Sequence, residues 1–146
     1  MAAPQFFVPP RVKPSRPKRR FTLEQANRTL PLVSRIVADI VQVHQNATTQ
    51  QEKLEKLQAD SKARLEIERT LESLKDRFIS LRDELTNVGC ELKDPQAGLI
   101  DFVGQHQGHD VYLCWKLGEQ KIAYWHELDA GFAGRKPVST LQEGEK

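Results

Sequence analysis

The chain has 146 residues, 38% of them hydrophobic and 29% charged, with a formal net charge of +2. That is one domain's worth of chain with one modest core, and no apolar run approaches the length needed to cross a bilayer. The two cysteines, Cys90 and Cys114, are too few for a disulfide framework, their spacing is unlike that of a zinc motif, and a reducing cytoplasmic setting is the expectation.

In chain order, residues 1–20, "MAAPQFFVPPRVKPSRPKRR", come first and carry Arg11, Lys13, Arg16, Lys18, Arg19 and Arg20 with no acid. Proline-punctuated and basic, this arm buries too little apolar surface to offset its ordering entropy, so it reads as disordered. The favoured reading is a solvated tail, and the functional alternative is weak, nonspecific contact with nucleic acid or another polyanion. It lacks the continuous apolar stretch and cleavage site of a secretory signal.

In "FTLEQANRTLPLV", Thr22 and Gln25 form a capping-box pattern with Phe21 before it, so a helix starts there. Pro31 should kink that helix or open a second one. Residues 32–88 contain neither Gly nor Pro and read as helix almost throughout. Two heptad tracks run through them: Val33, Val37, Ile40, His44, Ala47, Gln51 and Leu54, then Ile67, Leu71, Leu74, Phe78, Leu81, Leu85 and Val88. A change of register and the polar "QADSK" place a reversal near Asp60 and Ser61, giving an antiparallel, coiled-coil-like helical hairpin over about 31–89. A reversal at "NATT", 46–49, would leave unequal arms. Gly89 supplies a left-handed stop. His44 is read as a tolerated polar residue near a helix surface.

Past "KDPQAG" the period becomes two, and 99–103, 111–117 and 121–127 read as a three-stranded antiparallel meander within a sheet of about 98–127. Gly118 in "LGEQ" favours a two-residue hairpin pairing Leu117 with Gln120, Trp115 with Ile122, Leu113 with Tyr124 and Val111 with His126. One face is then apolar and packs on the helices, while Tyr112 and Trp125 pair on the open face beside Cys114, Lys116, Lys121 and Ala123. "GQHQGHD", with His106, His109 and Asp110, is a polar loop between strands, with weak metal capture as its functional alternative. The fold class is therefore α+β: a single domain over 21–138, a Gly-rich loop at 129–137 and a flexible tail at 139–146.

"GLIDF", "VYLCWKLGE" and "YWHELDAGFAGRKP", with the "FTLEQANRTLPLV" opening, resemble the prokaryotic family called domain of unknown function 2203 over roughly residues 21–138. The resemblance implies no activity for any residue, so the side chains themselves must nominate a site.

Five binding candidates follow: Tyr112, Trp125, His126, Asp129 and Arg135. In "DAGFAGRKP" the glycines permit an anion nest and Arg135 offers a bidentate fork, unless Asp129 latches onto Arg135 and fills it. Trp125 beside Tyr112 would expose the aromatic surface of a binding hot spot. His126 with Asp101, Asp129, Glu119 and Glu127 could supply a general base or metal ligands, although His126 and Glu127, as strand neighbours, point to opposite faces. Cys114 reads as a small packing residue. The favoured reading is non-catalytic: a module that binds a small anion or a protein partner, with no cofactor and no metal. A homodimeric coiled-coil scaffold and a metal-dependent or His/carboxylate enzyme are the alternatives.

Overall fold

The computed structural model describes residues 19–144, so most of the basic arm and the last two residues lie outside the described region. Helix α1 (Leu23–Glu55) opens on the expected capping box: the Gln25 amide donates to Thr22 Oγ1 at 3.1 Å and the Thr22 amide to Gln25 Oε1 at 3.0 Å. Pro31 neither ends nor splits this helix, which runs on for a total of 33 residues. An interior proline costs about 3 kcal/mol. Here Ala26, Leu30, Val33 and Val37, spread on both sides of it, are buried in the core, and that continuous burial holds the helix together.

Helix α2 (Lys62–Val88) begins after a reversal at the expected place, with Ser61 Oγ accepting the Arg64 amide at 3.1 Å. Arg64 reaches back to the Leu54 carbonyl at 3.1 Å and so ties the end of α1 to the start of α2. Gly89 terminates α2 at φ 116°, where a side chain would be strained. The first track is the buried stripe of α1, with Val33, Val37, Ile40 and Ala47 fully covered, but Ile36 and Val43 are buried as well. The apolar face is therefore wider than a two-position seam, as befits a helix that packs on both a second helix and a sheet. Leu71, Phe78, Leu81 and Leu85 answer it from α2. His44 is buried rather than near the surface, and burial lowers its pKa against the opposing charge of Asp94.

The sheet has five antiparallel strands in sequential order: β1 (Glu91–Asp94), β2 (Leu99–His106), β3 (His109–Lys116), β4 (Tyr124–Glu127) and β5 (Lys136–Pro137). Two more strands are present than the alternating pattern predicts. β1 contains a bulge at Lys93, and β5 is two residues long, so neither displays a period of two. The predicted loop 104–110 is instead a two-residue turn: Gln107 and Gly108 take φ 49° and 84°, and pairing continues to His106 opposite His109.

The β3–β4 connection overturns the predicted register. Lys116 is followed by a seven-residue connection, 117–123, and Leu113 pairs with Trp125, Tyr112 with His126 and Cys114 with Tyr124. Three bonds hold that connection open: the Lys116 amide to Glu119 Oε1 at 2.8 Å, Trp115 Nε1 to the Glu119 carbonyl at 3.0 Å, and the Ile122 amide to Asn27 Oδ1 of α1 at 2.8 Å. The shift of one residue moves all of β4 to the other face. Ile100, Phe102, Val111, Leu113, Trp115 and Trp125 consequently meet the helices, while Asp101, Val103, Tyr112, Cys114 and His126 occupy the far face.

A 3-10 turn at Val138–Thr140 runs into the expected tail at 139–146, which then bonds to the β2–β3 turn. The Gln142 amide donates to His106 Nδ1 at 3.0 Å, and the Gln107 amide donates to the Gln142 carbonyl at 2.8 Å. Among the described residues no helix is long and apolar enough to cross a membrane.

Candidate functional site

Strand alternation places three chemically able side chains together on the face away from the helices. Asp101 of β2 and Cys114 of β3 are direct cross-strand partners, and His126 of β4 lies opposite Tyr112, two positions along β3 from Cys114. Their donor atoms lie within 4.8 Å of one another, and all three residues are buried. His126 Nε2 lies 3.2 Å from an Asp101 oxygen, and its Nδ1 lies 2.8 Å from the Glu127 carbonyl.

A carbonyl oxygen only accepts, so Nδ1 carries a hydrogen and donates to it. Nε2 then faces the Asp101 carboxyl group, and the contact needs a proton or a metal ion between the two acceptors. One shared proton meets that need. Burial raises the Asp101 pKa, opposed by His126 and Lys93, and burial together with the nearby Asp101 charge pushes the Cys114 thiol up to about 12. Cys114 is thus a thiol rather than a reactive thiolate in the protein as it stands. Two tyrosines flank the group, Tyr112 with its ring 5.4 Å from that of His126 and Tyr124 opposite Cys114.

A second constellation surrounds the glycine-rich loop. Arg135 does not latch onto Asp129; its Nη2 donates to both Glu119 carboxylate oxygens at 2.9 Å. Its guanidinium lies 4.1 Å from the centre of the Tyr124 ring and 4.7 Å from that of Phe132. Lys116 Nζ also lies over the Phe132 ring, 5.8 Å from its centre. Tyr124, Leu128 and Phe132 are 37%, 52% and 46% exposed, a run of large apolar side chains open to solvent.

The five sequence-nominated residues are therefore divided. Tyr112 and His126 share the far face, and Arg135 stands on Tyr124 at its edge. Trp125 is not on the open face. It is 2% exposed within the core, its Nε1 donates to Thr140 Oγ1 at 3.0 Å, and its ring stacks on His106. Asp129 is exposed in the loop after β4 and does not join Asp101 and His126. Glu127 points the other way from His126, as alternation requires, and pairs with His109 at 2.8 Å. Asp110 is engaged by Arg20 at 2.9 Å, and although the His106 and His109 rings meet edge to face at 5.7 Å, the three residues do not converge as metal ligands. Sequence reasoning passed over Cys114 and Tyr124 as site members; the correct β3–β4 register was the signal that would have joined Cys114 to Asp101 and His126.

The fold and site define an α+β protein in which a helical hairpin backs a five-stranded antiparallel meander whose far face carries a buried polar cluster. The chain belongs to the family described as "Uncharacterized conserved protein (DUF2203)", whose profile matches residues 19–138. No curated protein and no solved structure matches it. The function of the family is unknown.

Proposed function

We propose that the chain is a non-catalytic interaction module that seizes a protein partner through Tyr124, Leu128 and Phe132, with the exposed Lys116 receiving an acidic side chain next to that apolar anchor and Arg135, held by Glu119, bracing Tyr124 and Phe132. The observation that carries this reading is the crowding of exposed apolar bulk. Of the five large hydrophobic side chains exposed among the described residues, three lie between 124 and 132, and the others, Leu32 and Leu65, stand apart on the two helices. Exposed aromatics beside cations are the composition of binding hot spots. Positive charge on the rim favours an acidic partner and its rate of encounter.

The non-catalytic half of the reading rests on access. The group that combines a thiol, an imidazole and a carboxylate is closed off, with Cys114 at 0% and Asp101 and His126 at 3% exposure, so a substrate has no route to it in this conformation. The test is affinity for a partner identified by retention on the immobilised protein and then purified. Phe132→Ser is expected to weaken binding by about 30-fold, the scale of one hot-spot side chain. Leu65→Ser should leave it unchanged. Equal affinities for Phe132→Ser and the parent protein would refute the assignment.

A further inference from the structure

We propose that the far face of the sheet holds a divalent transition metal ion of the zinc class, ligated by an Asp101 oxygen, Cys114 Sγ and His126 Nε2. The inference is independent of the partner surface. The ion's role is structural: it fastens β2, β3 and β4 to one another on the face the helices do not cover.

Three observations carry it. The first is convergence, since one donor from each of three adjacent strands falls within 4.8 Å of the others, and tetrahedral ligands at zinc bond lengths stand about 3.3–3.8 Å apart. Modest side-chain rotation closes the difference. The second is the orientation of His126. Its Nδ1 donates to the Glu127 carbonyl at 2.8 Å, which fixes the ring with Nε2 toward the cluster, and metal-ligating histidines are held by the same kind of outer bond. The third is the pairing of two acceptors. Nε2 and an Asp101 oxygen, 3.2 Å apart and buried, need a proton or a metal ion between them.

A proton meets that requirement for the pair alone. A divalent ion meets it for the pair and the thiol together, because one carboxylate and one thiolate balance its charge and leave a buried site with no net charge. Binding releases the Cys114 thiol proton and the proton shared by Asp101 and His126 to solvent. The donor mixture of sulfur, imidazole and carboxylate suits zinc and disfavours magnesium or calcium, which take oxygen ligands. The fourth tetrahedral position falls to water, which keeps the site uncharged; Glu91, the cross-strand neighbour of Asp101, is paired with Lys93 at 3.2 Å.

The experiment is a cobalt titration of the full chain, made without a histidine tag and stripped with a chelator, followed by competition with zinc. One equivalent of cobalt should bind, giving a thiolate-to-cobalt charge-transfer band and the strong visible absorption of a tetrahedral site, and zinc should bleach both. Cys90→Ser should keep the band and Cys114→Ser should lose it. His126→Gln should weaken uptake by about 100-fold, at least the loss seen when an outer partner of a ligand is removed. Because the chain has two cysteines, a band in Cys90→Ser can come only from Cys114, which keeps the assignment decidable even if Cys114→Ser does not fold. Absence of the band in the parent protein, its loss in folded Cys90→Ser, or its persistence in Cys114→Ser would overturn the proposal.

Discussion

His126 Nε2 and the Asp101 carboxylate meet 3.2 Å apart at a site where both side chains are 4% exposed. Neither residue has bulk water to fall back on, so each depends on the other. Removing one partner of a buried pair costs about 3–5 kcal/mol, because the survivor is left buried and uncompensated. Asp101→Ala and His126→Ala should each lower stability on that scale in chelator-treated buffer, measured by urea unfolding. The double variant should lose much less than the sum of the two.

The raised pKa of Asp101 also has a sign in pH. The folded protein holds this proton more tightly than the unfolded chain does, so the carboxyl contributes a penalty above its folded pKa. That penalty is relieved as pH falls through the folded pKa toward the ordinary carboxylate value of 3.8.

His44 works in the opposite direction. Burial, against the charge of Asp94, sets its folded pKa below the ordinary 6.5, so the unfolded chain takes up the proton first. Stability from this residue is complete above 6.5 and is lost as pH falls from there toward the folded value. His44→Met should flatten the change in urea midpoint between about pH 7.5 and about pH 5.5.

Trp115 and Trp125 are each 2% exposed, on the same face of the sheet. Intrinsic fluorescence should therefore be blue-shifted for both, with little quenching by iodide. The two-residue hairpin read from the sequence would instead leave Trp125 open to the quencher. Trp125→Ala should cost about 3–5 kcal/mol, as large-to-small changes in cores do.

Gly98 and Gly118 both adopt positive φ, at 72° and 104°, but their surroundings differ. A Cβ at Gly98 would stand 2.7 Å from Leu117 Cβ and 3.1 Å from Val37 and Val41, whereas one at Gly118 would meet nothing within 4 Å. Gly118→Ala should cost about 1–2 kcal/mol from backbone strain alone. Gly98→Ala should cost a further 1–3 kcal/mol or so from overpacking. Thermal unfolding of the two variants side by side measures the difference.

The helical half was legible because its signals are local. The Thr22–Gln25 box, the two apolar tracks, the break near Ser61 and Gly89 at the end of α2 each act within a turn or two of helix. The half that carries the candidate site was legible in type but not in register. Its outcome turns on Asn27 of α1 capturing the Ile122 amide, 95 residues away, and on Glu119 folding back to Lys116. No alternation within 117–123 reports such bonds. The slip separated Trp125 from Tyr112 and brought His126 to Asp101 and Cys114, so one misplaced turn rearranged nearly every site residue. The short strands β1 and β5 were hidden for a different reason: "ELKD" and "KP" hold too few residues, with too little apolar character, to show a period.

Photo-crosslinking from a residue-specific probe at position 132, with position 65 as the control, tests the interaction surface most directly. Phe132 and Leu65 are nearly equally exposed, at 46% and 50%, so any difference between them reports location rather than apolar exposure. A partner surface at the β4–β5 loop predicts a discrete adduct from 132, competed away by unlabelled protein, and none from 65. Adducts of equal yield from both positions, or from 65 alone, would contradict it.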